Sequence, residues 1–190
     1  MEFIEDLDKY DYLLKLLIIG KASIGKSIFL KRLLRLSNKT FKLQKDYFNY
    51  IPTIGVEFIS KVLKFNNHIF KLQMWDAAGD ERFRTLTKVY FKGSFAICLF
   101  YDAFDRDSFE IAKNYYKEII ETNKDIICIL VRSKFELALK EGNKDYVSDE
   151  EVLEFVDKNK ILFSRISSYE KYETGIIKLI NLILSKFKYK

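Results

Sequence analysis

The 190-residue chain holds one proline, two cysteines, one histidine and seven glycines. So little proline and glycine excludes collagen-like and low-complexity chains. Cys98 and Cys128 lie inside the apolar runs AICLF and IICIL. They read as small buried hydrophobes rather than as a disulfide or a metal pair, and a reducing, cytoplasmic setting is the expectation. A lone histidine, His68, leaves no His/Cys zinc site and no His–nucleophile pair unless it supplies one itself. It follows Asn66-Asn67, a turn signature between two strand-like runs. No apolar run reaches the ~20 residues that cross a bilayer. Residues 13–19 are interrupted by Lys15 and preceded by acids, which is no signal peptide. Residue 2 is Glu, and the final Lys-Phe-Lys-Tyr-Lys has no Cys, so neither a myristoyl nor a prenyl anchor is expected.

What is present fits one soluble domain over residues 1–190, with residues 1–9 as an N-terminal extension. Hydrophobic residues make up 48% and charged residues 32%, which excludes disorder as a description of the whole. Of 33 basic residues 26 are Lys, interspersed with 27 acids. That pattern is a solvated surface rather than an Arg-based reader of nucleic acid.

Short apolar runs alternate with helical segments. Strands are predicted at 13–19, 56–65, 68–75, 95–102, 125–131 and 161–166. Four are near-continuous apolar runs, as in strands buried on both faces of a parallel sheet, and 56–65 with 68–75 reads as an antiparallel hairpin. Helices are predicted at 26–37, 107–122, 148–158 and 175–188. The second carries a stripe of Phe109, Ala112, Tyr116, Ile119 and Ile120, the third opens on the capping box Ser148-x-x-Glu151, and the last has a wide apolar face suited to a sheet or to a membrane surface. The pattern predicts an α/β sheet with right-handed crossovers.

Directly after the first strand stands Gly20-Lys21-Ala22-Ser23-Ile24-Gly25-Lys26-Ser27. This is G-x-x-x-x-G-K-S, the phosphate-binding P-loop. Gly20 and Gly25 permit the tight backbone, and the N–H groups of Ala22, Ser23, Ile24, Gly25 and the new helix face the phosphates. Lys26 places a charge on the terminal phosphates, and the Ser27 hydroxyl suits Mg²⁺. Asp76-Ala77-Ala78-Gly79 ends another strand, where a carboxylate faces the ligand crevice of an open sheet. Asp76 can hold Mg²⁺ and the Gly79 N–H can meet a γ-phosphate. Thr53, in Ile51-Pro52-Thr53-Ile54-Gly55, completes an oxygen set with Ser27 and Asp76.

These motifs resemble those of small GTPases of the Ras superfamily, and of the Rab branch in particular. The likeness runs roughly from residue 10 to 184. It is carried by DYLLKLLIIG at 11–20, TIGVEF at 53–58, KLQMWD at 71–76, ERFRTLT at 81–87 and YFKG at 90–93. The resemblance implies a P-loop NTPase small G domain: a six-stranded, mostly parallel sheet with one antiparallel hairpin and about five helices. It implies bound GTP or GDP with Mg²⁺, two loops near Thr53 and near Gly79–Thr87 that respond to the γ-phosphate, and work in vesicle traffic as a peripheral, partner-recruited monomer on endomembranes. Effector proteins would meet Ile54, Gly55, Phe58, Trp75, Phe83 and Tyr90, and an exchange factor and an activating protein would act on the same loops.

The chain departs from the family where water and base are read. Asp80 stands where the family has the Gln that orients the attacking water. With Lys26 it is the candidate catalytic residue, and it predicts slow hydrolysis. Ala22, close to the γ-phosphate, points the same way. The base-reading N-K-x-D stands as Ser133-Lys134-Phe135-Glu136, and the S-A-K motif as Ser167-Ser168-Tyr169. Ser133, Lys134, Glu136, Ser168 and Tyr169 are the candidate base-binding residues, and weakened guanine selectivity is expected. The loop between Ser27 and Thr53 is longer than in Rabs, and residues 39–50 offer Phe41, Tyr47, Phe48 and Tyr50 for stacking on the base. Two readings follow: a GTP/GDP switch with weak GTPase activity, and a pseudo-GTPase serving as a constitutive interaction module.

Overall fold

The computed structural model describes residues 1–4, 9–36, 53–134, 147–167 and 174–189. The strands are β1 Glu2–Phe3, β2 Tyr12–Ile19, β3 Val56–Phe65, β4 His68–Ala77, β5 Ala96–Asp102, β6 Ile127–Ser133 and β7 Leu162–Arg165. The helices are α1 Lys26–Leu36, α2 Arg84–Val89, α3 Arg106–Thr122, α4 Asp149–Asn159 and α5 Thr174–Leu184. All six expected strands are present. The seven-stranded sheet has the order β1-β3-β4-β2-β5-β6-β7, because Glu2 and Phe3 pair antiparallel with Lys64 and Leu63.

From β4 through β7 the neighbours are parallel, and β3–β4 is the antiparallel hairpin. Asn66 and Asn67 both take positive φ, 48° and 63°, as a two-residue type I′ turn requires. Two apolar layers sandwich the sheet. One gathers Leu16, Ile18, Phe29, Phe100 and Ile180 under α1 and α5. The other gathers Leu17, Leu99, Tyr101, Phe109 and Val152 under α3 and α4. Every residue of β5 is buried, which is why its sequence reads as an unbroken apolar run.

The α5 face lies in this core through Ile176, Leu179, Ile180 and Ile183, so the membrane-surface alternative for it is overturned. The helix stops at Leu184 rather than at 188. Phe187 turns back onto Tyr12 and Phe70, at ring distances of 4.5 and 5.3 Å, and Tyr189 stacks on His68 at 4.7 Å. The box at α4 is only half made. Ser148 Oγ accepts from the Glu151 N–H at 3.2 Å, while the Glu151 carboxylate is spent on Arg106. α2 escapes sequence reading because its Leu86 and Val89 are exposed and leave no apolar stripe.

Cys98 and Cys128 fall in opposite layers of the core. Burial pushes both thiols up to about 12. At pH 8 a thiol reagent should therefore modify neither in the native protein and both after unfolding, and rapid native labelling of either would contradict this packing.

Candidate functional site

β2 pairs with β4 on one side and β5 on the other, so the loop leaving it sits where chain connections diverge, the position at which open α/β sheets bind ligands. The loop is held by shape. Gly20 has φ 145°, and a Cβ there would lie 2.4 Å from the Phe100 carbonyl oxygen and 2.7 Å from Ile24 Cδ1. Gly25 and Ser23 also take positive φ, 99° and 65°, curling the backbone around a centre. α1 opens at Lys26 with no acid in its first turn, so its positive end is uncompensated. α3 and α4, by contrast, begin on Asp105 and on Ser148 followed by three acids.

Lys26 is buried, and its Nζ donates to the carbonyls of Gly20 and Lys21 at 3.0 and 2.8 Å. Burial pulls its pKa down to about 8, against the raising pull of Asp76. Asp76 is 0% exposed. Burial raises its pKa, opposed by the Ser27 hydrogen bond and the Lys26 charge. Ser27 Oγ donates to Asp76 Oδ2 at 2.5 Å, and lies 3.0 Å from Thr53 Oγ1. Thr53 Oγ1 in turn lies 3.5 Å from the same Oδ2. Asp76 Oδ1 is buried with no hydrogen-bond partner among the described residues. Two hydroxyls and a carboxylate with an unsatisfied oxygen are hard donors that fit Mg²⁺. They do not close a cage, as suits an ion that shares its shell with phosphates and water. Among the described residues no cluster of His, Cys, Asp and Glu offers another metal site.

Gly79 packs directly on the P-loop. A Cβ there would lie 2.3 Å from the Ala22 nitrogen and 2.4 Å from the Lys21 carbonyl carbon. The Ala78 N–H donates to the Gly55 carbonyl at 2.8 Å, which ties the loop after β4 to the loop before β3; sequence reasoning had no signal for that bond. Asp80 lines the same recess as Lys21, Ala22 and Gly79, and its side chain is engaged within its own turn. Its carboxylate caps the turn Glu81–Phe83. It also receives the Arg82 guanidinium, Nε on both oxygens at 3.0 Å and a terminal nitrogen on Oδ2 at 2.6 Å. The Arg82 hydrogen bonds hold its pKa down to about 2, so it is ionised at neutral pH.

The base-reading residues are partly described. Ser133 Oγ donates to the Tyr101 carbonyl at 3.0 Å, within the sheet. Lys134 has φ 52° and its Nζ pairs with Asp102 at 2.9 Å. Glu136, Ser168, Tyr169 and the aromatics of 39–50 lie outside the described residues.

On the outer face, Trp75 contacts Phe58 at 4.8 Å and Tyr90 at 5.2 Å between ring centres. Lys15 Nζ sits 5.6 Å over the Trp75 ring and 5.5 Å over the Tyr90 ring, and donates to the Tyr90 and Lys92 carbonyls. Ile54 and Phe58 are 83% and 47% exposed. Phe83 is half-buried beneath Arg82, and Leu86 and Val89 widen the exposed apolar surface.

A strand–loop–helix phosphate cradle at the switch point of a parallel sheet defines a P-loop nucleotide-binding domain. The family model described as "Ras family" matches residues 15–187, and the chain belongs to that family. Over 163 residues it is 39% identical to the "GTP-binding protein YPT1" of Saccharomyces cerevisiae, covering 85% of this chain and 73% of that protein. It is 35% identical over 164 residues to the "Ras-related protein Rab11E" of Lotus japonicus, covering 86% and 70%. It is 41% identical over 129 residues to the "Ras-related protein RABE1e" of Arabidopsis thaliana, covering 67% and 56%. These relatives put it on the Rab branch.

The fit of Gly79 gives a direct test. Gly79→Ala forces the loop off the P-loop backbone and should cost about 1–3 kcal/mol of stability, as overpacking does. An unchanged urea midpoint would show that this contact does not hold the loop.

Proposed function

We propose that the protein is a Rab-like GTP/GDP switch that hydrolyses GTP slowly. The observation that carries this reading is the convergence of Lys26, Ser27, Thr53 and Asp76 at one end of the sheet, with an unsatisfied buried oxygen on Asp76. Lys26 and the N–H groups of the loop bind the β- and γ-phosphates. Ser27, Thr53 and Asp76 would hold Mg²⁺, which would neutralise phosphate charge. Thr53 and Gly79 make the two adjoining loops sensitive to the γ-phosphate, and the Ala78–Gly55 bond couples them. Effectors dock on Ile54, Phe58, Trp75 and Tyr90, with Leu86 and Val89 beside them. An exchange factor and an activating protein act at the same loops, and recruitment to endomembranes runs through such partners.

Slow hydrolysis follows from Asp80. An ionised carboxylate bound to Arg82 has no amide to orient water and is already committed to a partner. Ser133 and Lys134 favour the second reading, the pseudo-GTPase. Ser133 Oγ is spent on the sheet and Lys134 on Asp102, which weakens base selection and leaves an interaction module that keeps or ignores nucleotide.

Titration of nucleotide-stripped protein with fluorescent GTP, GDP and ATP, with and without Mg²⁺, separates the two. Tight, Mg²⁺-dependent preference for the guanine forms supports the switch, and weak unselective binding supports the module. Lys26→Ala and Ser27→Asn should each weaken GTP binding by roughly 10–100-fold, the worth of a charge-assisted contact; unchanged affinity in both would overturn the phosphate assignment. Asp80→Gln should raise the single-turnover rate at least ~10-fold, and an equal or lower rate would show that Asp80 is not what slows it.

A further inference from the structure

At the end of the strands opposite the P-loop, where β6 and β7 begin and α3 and α4 end, lies a recess of about 280 Å³. The nucleotide site cannot use it. Its walls include Ile120, Ile127 and Leu162, all half-buried, and its rim carries Lys124, Lys160 and Lys186. Lysines near helix C-termini are ordinary, since they offset the dipole. Three of them around one apolar recess are not. Glu121, Asp125 and Asp157 stand nearby in sequence, yet none forms an ion pair with these three amines among the described residues. The wall also has no buried acid: its ionisable groups are the thiol of Cys128 and the phenol of Tyr116, both raised by burial and so neutral.

We propose that this recess binds a small amphiphilic anion, with a single ring or short acyl chain on the isoleucine–leucine wall and a carboxylate or phosphate at the lysine rim. Apolar walls with a few convergent charges are the usual composition of a ligand site, and the volume lies near the lower end for one. The apolar part supplies affinity by leaving water. The flexible ammonium groups act as point charges and set the sign of the ligand. Free carboxylates and the headgroup of an anionic lipid share this chemistry.

The probe is octanoate, followed by amide NMR on the full chain, with octanol and inorganic phosphate as half-ligands. Octanoate should bind at one saturable site, shifting the amides of Ile127, Lys160 and Leu162, at least tenfold tighter than either half-ligand. Its affinity should fall with added salt. The triple variant Lys124→Gln, Lys160→Gln, Lys186→Gln keeps the stems and should lose at least tenfold in affinity with an unchanged unfolding midpoint. Ile120→Ser, on the wall, should weaken octanoate without altering the salt dependence. Vesicles of phosphatidylcholine with phosphatidate distinguish the sources. Co-sedimentation that octanoate reverses supports a lipid ligand, and octanoate binding without co-sedimentation supports a free acid. Octanol binding as well as octanoate, shifts confined to another face, or full affinity in the triple variant would each overturn the proposal.

Discussion

A carboxylate removed from water must find cations or donors close by, since burying an uncompensated charge costs several kcal/mol. Asp76 sits at such a place and is only partly provided for: one oxygen takes two hydroxyls, the other takes nothing among the described residues. The two hydroxyls come from segments far apart in the chain, the first turn of α1 and the loop before β3. What brings them together is the parallel register of β2 on β4, which sets Ile18 opposite Asp76. A slip of one residue would turn Asp76 to the other face and Trp75 inward. The position of α1, the height of Thr53 and the packing of Gly79 on the P-loop all depend on that one register.

The same alternation joins the interior chemistry to the outer surface. Along the end of β4, Trp75 points to the face it shares with Phe58 and Tyr90, and Asp76 points into the cluster with Ser27. β3 and β4 are fully paired from Val56–Ala77 to Phe65–His68. Its open end carries both Thr53 and Ala78, linked through the bond to Gly55. Asp76, Phe58 and Trp75 thus belong to one ladder, which Thr53 precedes.

Much of this was legible because the sequence states it twice. The P-loop spacing predicts a strand before and a helix after, and the apolar runs supply both. The hairpin is written in its Asn-Asn turn and its flanking runs. The short edge strand Glu2–Phe3 was not legible, because two residues have no periodicity, nor was α2, whose exposed apolar residues leave no stripe. The Asp80–Arg82 pair was hidden for another reason. The sequence shows the loss of an amide at 80, but whether the new carboxylate faces the phosphate site or a neighbour depends on a local turn capped by Asp80 itself. The Ser133 hydroxyl donates within the sheet, to the Tyr101 carbonyl, a partner that no local pattern announces.

That turn explains how such a change can be tolerated. A bare carboxylate beside a phosphate would repel it. Arg82 cancels that charge within the loop, with three of its nitrogen contacts on the Asp80 oxygens. On the reading proposed above, the pair removes the repulsion without restoring a group that positions water. Affinity for the triphosphate is then spared while turnover is not. A Gln has no charge to neutralise and a Glu would be longer and freer, so of these three residues Asp is the one whose short side chain the arginine two positions on can capture. On that reading Asp80 and Arg82 act as one unit, in which the arginine makes the aspartate compatible with a phosphate-binding site.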